Sequence, residues 1–169
     1  MVIKNLHVWG FSLFLLLVST WVWSAPNQIM FTHDLPHDAS LAQSKGVPLL
    51  VIFTSSDCVY CERSMQDYLI PMQQNPQYAH KILIRRIQIT DETRLTGWDG
   101  KPTTGKAYAA SLNIKLTPTI IVFTPDGKQA SDPIVGVDSE DYYGGYLDNA
   151  IDAGLAKMHP AIHSPSQAN

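Results

Sequence analysis

The stretch "PLLVIFTSSDCVYC", residues 48–61, changes periodicity in its middle. From Val47 to Phe53 every position but Pro48 is an aliphatic or aromatic residue, and the run is bounded by the Ser55–Asp57 cluster, which predicts a strand buried on both faces. From Cys58 onward the apolar positions Cys61, Met65, Tyr68, Leu69 and Met72 fall on one stripe of a helix. Ser56 or Asp57 occupies the position expected of an N-cap. A buried strand therefore runs straight into a helix, and the chain's two cysteines, Cys58 and Cys61, stand at the junction.

That placement has chemical consequences. A sulfur in a helix's first turn faces unpaired N–H groups and the positive end of the helix dipole, so Cys58 is placed to form a thiolate. Cys61, one turn on and facing inward, can close a disulfide with Cys58, and such a pair cycles between dithiol and disulfide through a mixed intermediate. A purely structural staple is disfavoured by magnitude: so short a loop gives only ~2 kcal/mol, against ~4.7 for a 100-residue loop. A metal site needs more ligands. His33 and His37 have a suitable spacing of four but flank Pro36, and no second pair of cysteines exists, so both histidines read as surface residues and no metal is expected. Cysteine–histidine hydrolysis is disfavoured too, because no histidine lies near an element that would meet Cys58 and Cys61 would have no use.

Working outward, "HDASLAQSKG" (37–46) predicts a helix ended by Gly46, preceded by a polar N-terminal extension over residues 25–36. Residues 81–90 predict a second strand, with Ile87 and Ile89 on one face. The polar stretch 92–105, "ETRLTGWDGKPTTG", leads into a short helix over 106–112. "TPTIIVFT" (117–124) predicts a third strand, and the Asp-Gly of "PDGK" turns it into a hairpin whose return, 129–136, should pair antiparallel. Asp138 is positioned to cap a last helix whose buried stripe is Tyr143, Leu147, Ala150 and Ile151, weakened by about 1 kcal/mol at each of Gly144 and Gly145. Residues 158–169 read as a disordered tail. Alternating strands and helices imply parallel pairing through crossovers, with an antiparallel edge hairpin: an α/β fold, a three-layer α/β/α sandwich with a mixed sheet over 37–157.

The chain has 169 residues, 45% hydrophobic and 16% charged, with a formal net charge of −3, which suits one domain and offers nothing to nucleic acid. Residues 1–24 differ from the rest. Lys4 is followed by the apolar run "VWGFSLFLLLVSTWVW", the pattern of a signal peptide cut after Ser24; the alternative is an uncleaved membrane anchor. Export to the periplasm places the cysteines where disulfides persist.

Together these residues resemble the thioredoxin superfamily, in particular exported thioredoxin-like thiol-disulfide oxidoreductases. "PLLVIFTSSDCVYC" resembles its central strand and CxxC helix, "IQITD" the next strand, "NIKLTPTIIVFTPDG" the segment carrying a cis-proline, and "PIVG" the edge strand ending at Gly136. The resemblance implies that Cys58 attacks a substrate disulfide, that Cys61 resolves the mixed disulfide, and that Thr117 and Pro118 hold an extended stretch of substrate. Tyr60 is a candidate rim contact. It further implies no cofactor beyond the cysteine pair, protein disulfides as substrates, a membrane-embedded electron donor and a monomer. Several positions depart from the family's pattern: Asp57 replaces a tryptophan, Ile52 a buried acid and Gln66 a helix-kinking proline, with Pro71 the nearest proline, and 91–104 is longer. Val59 and Tyr60 between the cysteines carry no positive charge, which favours a reductase or isomerase over an oxidant. A non-catalytic module that binds or assembles clients is the alternative function. The stretch around Trp98 reads as a substrate-selecting loop or a solvated connection.

Overall fold

The computed structural model describes residues 27–90, 92–137 and 140–160, without the side chains of 140 and 141. The signal-like segment, the expected cap at Asp138 and the chain after residue 160 lie outside the described residues.

Strand β1 (Leu49–Thr54) is buried at every position, as its unbroken apolar run requires. It pairs in parallel with β2 (Leu83–Gln88), in register from Leu49 opposite Leu83 to Thr54 opposite Gln88. On its other side it meets β5 (Thr119–Phe123), with Leu49 opposite Phe123 and Phe53 opposite Thr119. The two-residue β6 (Ile134–Val135) completes the order β2-β1-β5-β6. The expectation of parallel pairing holds for β1 and β2, but β5 runs antiparallel to β1. The reason lies in the connection. β2 ends beside Thr54 and β5 begins beside Phe53, so the intervening chain leaves and re-enters the sheet at one end. Its helix α4 (Gly105–Ser111) has seven residues and rises only about 10 Å, too little to carry the chain back along a strand of about 20 Å.

Two layers of helix cover the sheet. On one face Leu50, Ile52, Ile84, Ile120 and Val122 pack against Met65, Leu69, Leu147 and Ile151. On the other, Leu49, Val51, Phe53, Ile121 and Phe123 pack against Leu35, Ala42 and Tyr108. This is the α/β/α sandwich with a mixed sheet. Helix α1 (Leu35–Lys45) starts two residues earlier than expected because Asp34 caps it, accepting from His37 N–H at 2.8 Å, and Gly46 ends it at φ 68°. Its Asp38 forms a buried pair with Arg85 of β2, Nε to Oδ1 2.7 Å. Ahead of α1 the chain lies along the outer edge of β2: Thr32 N–H donates to Arg86 O and Arg86 N–H to Met30 O, which covers an otherwise open edge.

The helix after the cysteines is interrupted. α2 (Val59–Ser64) passes into a π-helical turn, Met65–Leu69, and then α3 (Ile70–Gln74). Pro71 lacks an N–H and its ring would collide with the carbonyl four residues back, Asp67; the wider turn, in which Ile70 N–H reaches Met65 O, accommodates it. A break thus forms without a proline at position 66.

The 92–105 stretch, read from sequence as a loop or connection, has secondary structure of its own. It is a hairpin of β3 (Arg94–Thr96) and β4 (Pro102–Thr104) turned inward. Trp98 is half-buried, its Nε1 donates to the Tyr108 hydroxyl at 2.7 Å, and its ring lies 5.5 Å from that of Phe123. Two three-residue strands, one beginning with proline, leave too little alternation to be seen in sequence. The final helix, α5 (Glu140–Met158), buries the stripe Tyr143, Leu147, Ala150 and Ile151 as expected.

Candidate active site

The cysteines sit where β1 leaves the sheet. Asp57 takes a left-handed backbone, φ 54°, and delays the helix by one residue. Cys58, not Ser56 or Asp57, is the N-cap: its backbone is extended and its Sγ accepts from Cys61 N–H at 3.1 Å. The Ser56 hydroxyl is engaged elsewhere, accepting from Gln88 Nε2 at 2.9 Å and lying 3.1 Å from Thr90 Oγ1, which ties the loop to the end of β2. Cys58 and Cys61 form a disulfide, S–S 2.05 Å, with Cα atoms 5.2 Å apart. The pair is asymmetric: Cys61 is 1% exposed, facing the core, whereas Cys58 is half-buried at the surface. Chemically, an incoming sulfur can reach Cys58 and not Cys61.

Thr117 and Pro118, sixty residues away in sequence, arrive beside this pair. The peptide between them is cis. The Thr117 hydroxyl donates to Cys58 Sγ at 3.5 Å and lies 2.8 Å from Ser55 Oγ. Pro118 is buried, and its carbonyl accepts from Gly136 N–H at 2.7 Å, which fastens the loop to the end of β6. Val59, Tyr60 and Leu116 flank these contacts in the chain and are exposed at 77%, 59% and 64%, an apolar rim. Tyr60 is thus at the surface beside the disulfide. His33 and His37 are exposed on the far side of β2, with His33 Nδ1 3.4 Å from Arg94 O.

Two residues before Thr54 on β1, Ile52 is fully buried, and its cross-strand partner is Arg86. The Arg86 guanidinium donates from Nε to Thr54 Oγ1 at 2.9 Å, lies 4.0 Å from Glu62 Oε1 and stacks 4.7 Å from the Phe31 ring. Next to Cys61's turn, Ser64 Oγ and Tyr143 Oη share a buried hydrogen bond of 2.8 Å; burial, the larger influence, pushes the Tyr143 hydroxyl pKa up, against the opposing effect of Ser64. No place at the site was read from the sequence for Ser55, Arg86 or the Ser64–Tyr143 pair. For Arg86 the available signal was the Arg85-Arg86 pair between the apolar residues Ile84 and Ile87: two charges at adjacent positions must leave by opposite faces, and each must find a partner.

A family model of the thioredoxin-like domain matches residues 35–151. A thioredoxin from Thermus thermophilus shares 19% identity, with a TM-score of 0.52, covering 81% of this chain and 98% of its own. Mitochondrial thioredoxin 3 from Saccharomyces cerevisiae in its oxidised form shares 18%, with a TM-score of 0.50, covering 76% of this chain and 98% of its own. At these identities the two structures speak for the fold alone. No curated protein sequence matches the chain. The chain belongs to the thioredoxin-like domain family. With a CxxC disulfide at the strand–helix junction of that fold, it is a thiol-disulfide oxidoreductase.

Proposed function

We propose that this oxidoreductase is exported to the periplasm, where as a monomer it reduces or isomerises disulfides of envelope proteins and is recharged by a membrane-embedded electron donor. The asymmetry of the pair supports the reading, because the two sulfurs differ in access as attacking and resolving cysteines must. Cys58, accessible and receiving two hydrogen bonds, attacks one sulfur of a substrate disulfide; a new S–S bond forms as the old one breaks, and the departing thiolate takes a proton. Cys61, sealed behind it, then attacks Cys58 Sγ and releases the second substrate thiol. The protein is left as the disulfide, two electrons having passed to the substrate. Thr117 and Pro118, with Tyr60 at the rim, hold the extended substrate segment. What surrounds Cys58 supports the reducing direction: Val59 and Tyr60 bring no positive charge between the cysteines and Asp57 brings a negative one, which disfavours the thiolate, and with it the dithiol form, relative to a strong oxidant. The pattern of residues 1–24 supports export.

Reduced protein should accelerate insulin reduction by dithiothreitol, and its potential against glutathione should lie nearer about −270 mV than about −120 mV. A value near the latter would overturn the reducing direction. Cys61→Ser should trap substrates as mixed disulfides at Cys58 in periplasmic extracts; a Cys58→Ser, Cys61→Ser variant that kept the cellular task would instead establish a non-catalytic binding module. Mature protein beginning at Ala25 is expected from the periplasmic fraction, and recovery of the whole chain from the cytoplasm would refute export.

A further inference from the structure

We infer that Ser55 is a positioning residue for the Cys58 thiolate, acting through Thr117; the inference rests on the oxidoreductase reading of the Cys58–Cys61 pair. Three atoms follow one another: Ser55 Oγ lies 2.8 Å from Thr117 Oγ1, which in turn is 3.5 Å from Cys58 Sγ. Each hydroxyl owns one proton. If Thr117 donates to sulfur, the only proton left for the 2.8 Å contact is that of Ser55, so Ser55 donates to Thr117. A disulfide sulfur is neutral and a weak acceptor, so in the oxidised protein this succession of donors is only weakly held. Reduction changes this. Two electrons and two protons open the disulfide to two thiols, and when the Cys58 thiol ionises, its negative charge pulls the Thr117 proton inward and sets the chain Ser55 to Thr117 to Cys58. Hydrogen bonds to an ionised acceptor are stronger than neutral ones, and donors in series polarise one another. Ser55 is half-buried at the end of β1, so little water competes for its proton. Its 2.8 Å contact also restrains the Thr117 side chain, whose hydroxyl faces Cys58 Sγ.

The charged groups near the junction, Asp57, Glu62 and Arg63 on its own segment, Arg86 from β2 and Lys115 ahead of Thr117, are left intact by changing either hydroxyl, so a shift in Cys58 ionisation reads the relay. The measurement is the rate of iodoacetamide alkylation of the reduced protein against pH, which reports Cys58 because Cys61 is sealed. Thr117→Val should raise the apparent Cys58 pKa by about one unit and Ser55→Ala by about half a unit. The double variant should match Thr117→Val alone, since Ser55 has no route to sulfur without the intervening hydroxyl. Thr117→Ser, which keeps the hydroxyl, should stay near the parent value. An unchanged pKa in Ser55→Ala, or additive shifts in the double variant, would overturn the relay. Failure of the parent protein to reduce insulin would instead count against the oxidoreductase reading, since alkylation needs no turnover.

Discussion

At the start of β1, Leu49 faces Phe123, and Trp98 lies over Phe123 with Gly127 pressed beneath its indole, where a Cβ would come within 2.9 Å of Cδ2. At the other end, Thr54 runs out into Ser55, Ser56 and Asp57, and the contacts become hydroxyls: Thr117 to Cys58, Ser55 to Thr117, Ser56 to Thr90. One strand thus lies under a run of aromatic contacts, from Phe123 through Trp98 and Tyr108 to Phe53, and exits beyond Thr54 into a polar, half-open junction. The contrast teaches where the fold keeps its rigidity and where it keeps its chemistry. Large apolar area held in close contact stabilises without regard to protonation, whereas a sulfur that must gain and lose charge needs donors that can reorient.

The contrast can be tested at both ends. The largest effect belongs to the cysteine end and falls chiefly on activity. Cys58→Ala should reduce insulin turnover to the uncatalysed rate, while the loss of so short a disulfide loop costs stability no more than about 2 kcal/mol in urea titration. Trp98→Ala should do the reverse, lowering stability by about 3 kcal/mol with turnover per folded molecule unchanged; a fall in turnover would mean that the two ends are coupled. Glycines sharpen the comparison. Gly127 at φ 81° sits under the Trp98 ring and Gly136 at φ 75° has open space, so Gly127→Ala should cost about 1–3 kcal/mol and Gly136→Ala about 1.

Alkaline pH should also weaken the aromatic run. Burial, the larger influence, pushes the Tyr108 hydroxyl up to about 12 against the opposing contact with Trp98. Because this folded-state value exceeds the unfolded one of about 10, the stabilisation is complete below pH 10 and is lost as pH rises through about 12. Tyr78, held up at about 12 first by its hydrogen bond to Asp148, adds to the same loss; urea midpoints measured at pH 9 and 11 should therefore fall, and by less in Tyr78→Phe. The smallest effect returns to the junction: Asp57→Asn removes an exposed negative charge beside Cys58 and should lower its alkylation pKa by a few tenths of a unit.

Much of this was legible. β1 could be read because a strand buried on both faces has no polar position to hide it, and α2 because Cys61, Met65 and Leu69 repeat at helical spacing. Thr117 and Pro118 were reached by resemblance, not by any pattern of their own. Three features escaped. The direction of β5 depends on the rise of α4 and on the hairpin before it, neither of which periodicity reports. The inward turn of Trp98 depends on Gly127, 29 positions later, having no side chain. The cap moved to Cys58 because Asp57 adopted a left-handed backbone that an aspartate in isolation has no strong reason to take.

Local chemistry therefore settled the elements: the apolar run, the helical stripe, the Asp-Gly turn and the two cysteines at the strand–helix junction, all decided by residues within a turn or two of one another. Tertiary structure alone settled which hydroxyl faces Cys58 and that an arginine stands across from Ile52. Those are meetings of residues thirty to sixty positions apart, and they exist only once burial of the two faces of the sheet has closed the chain upon itself.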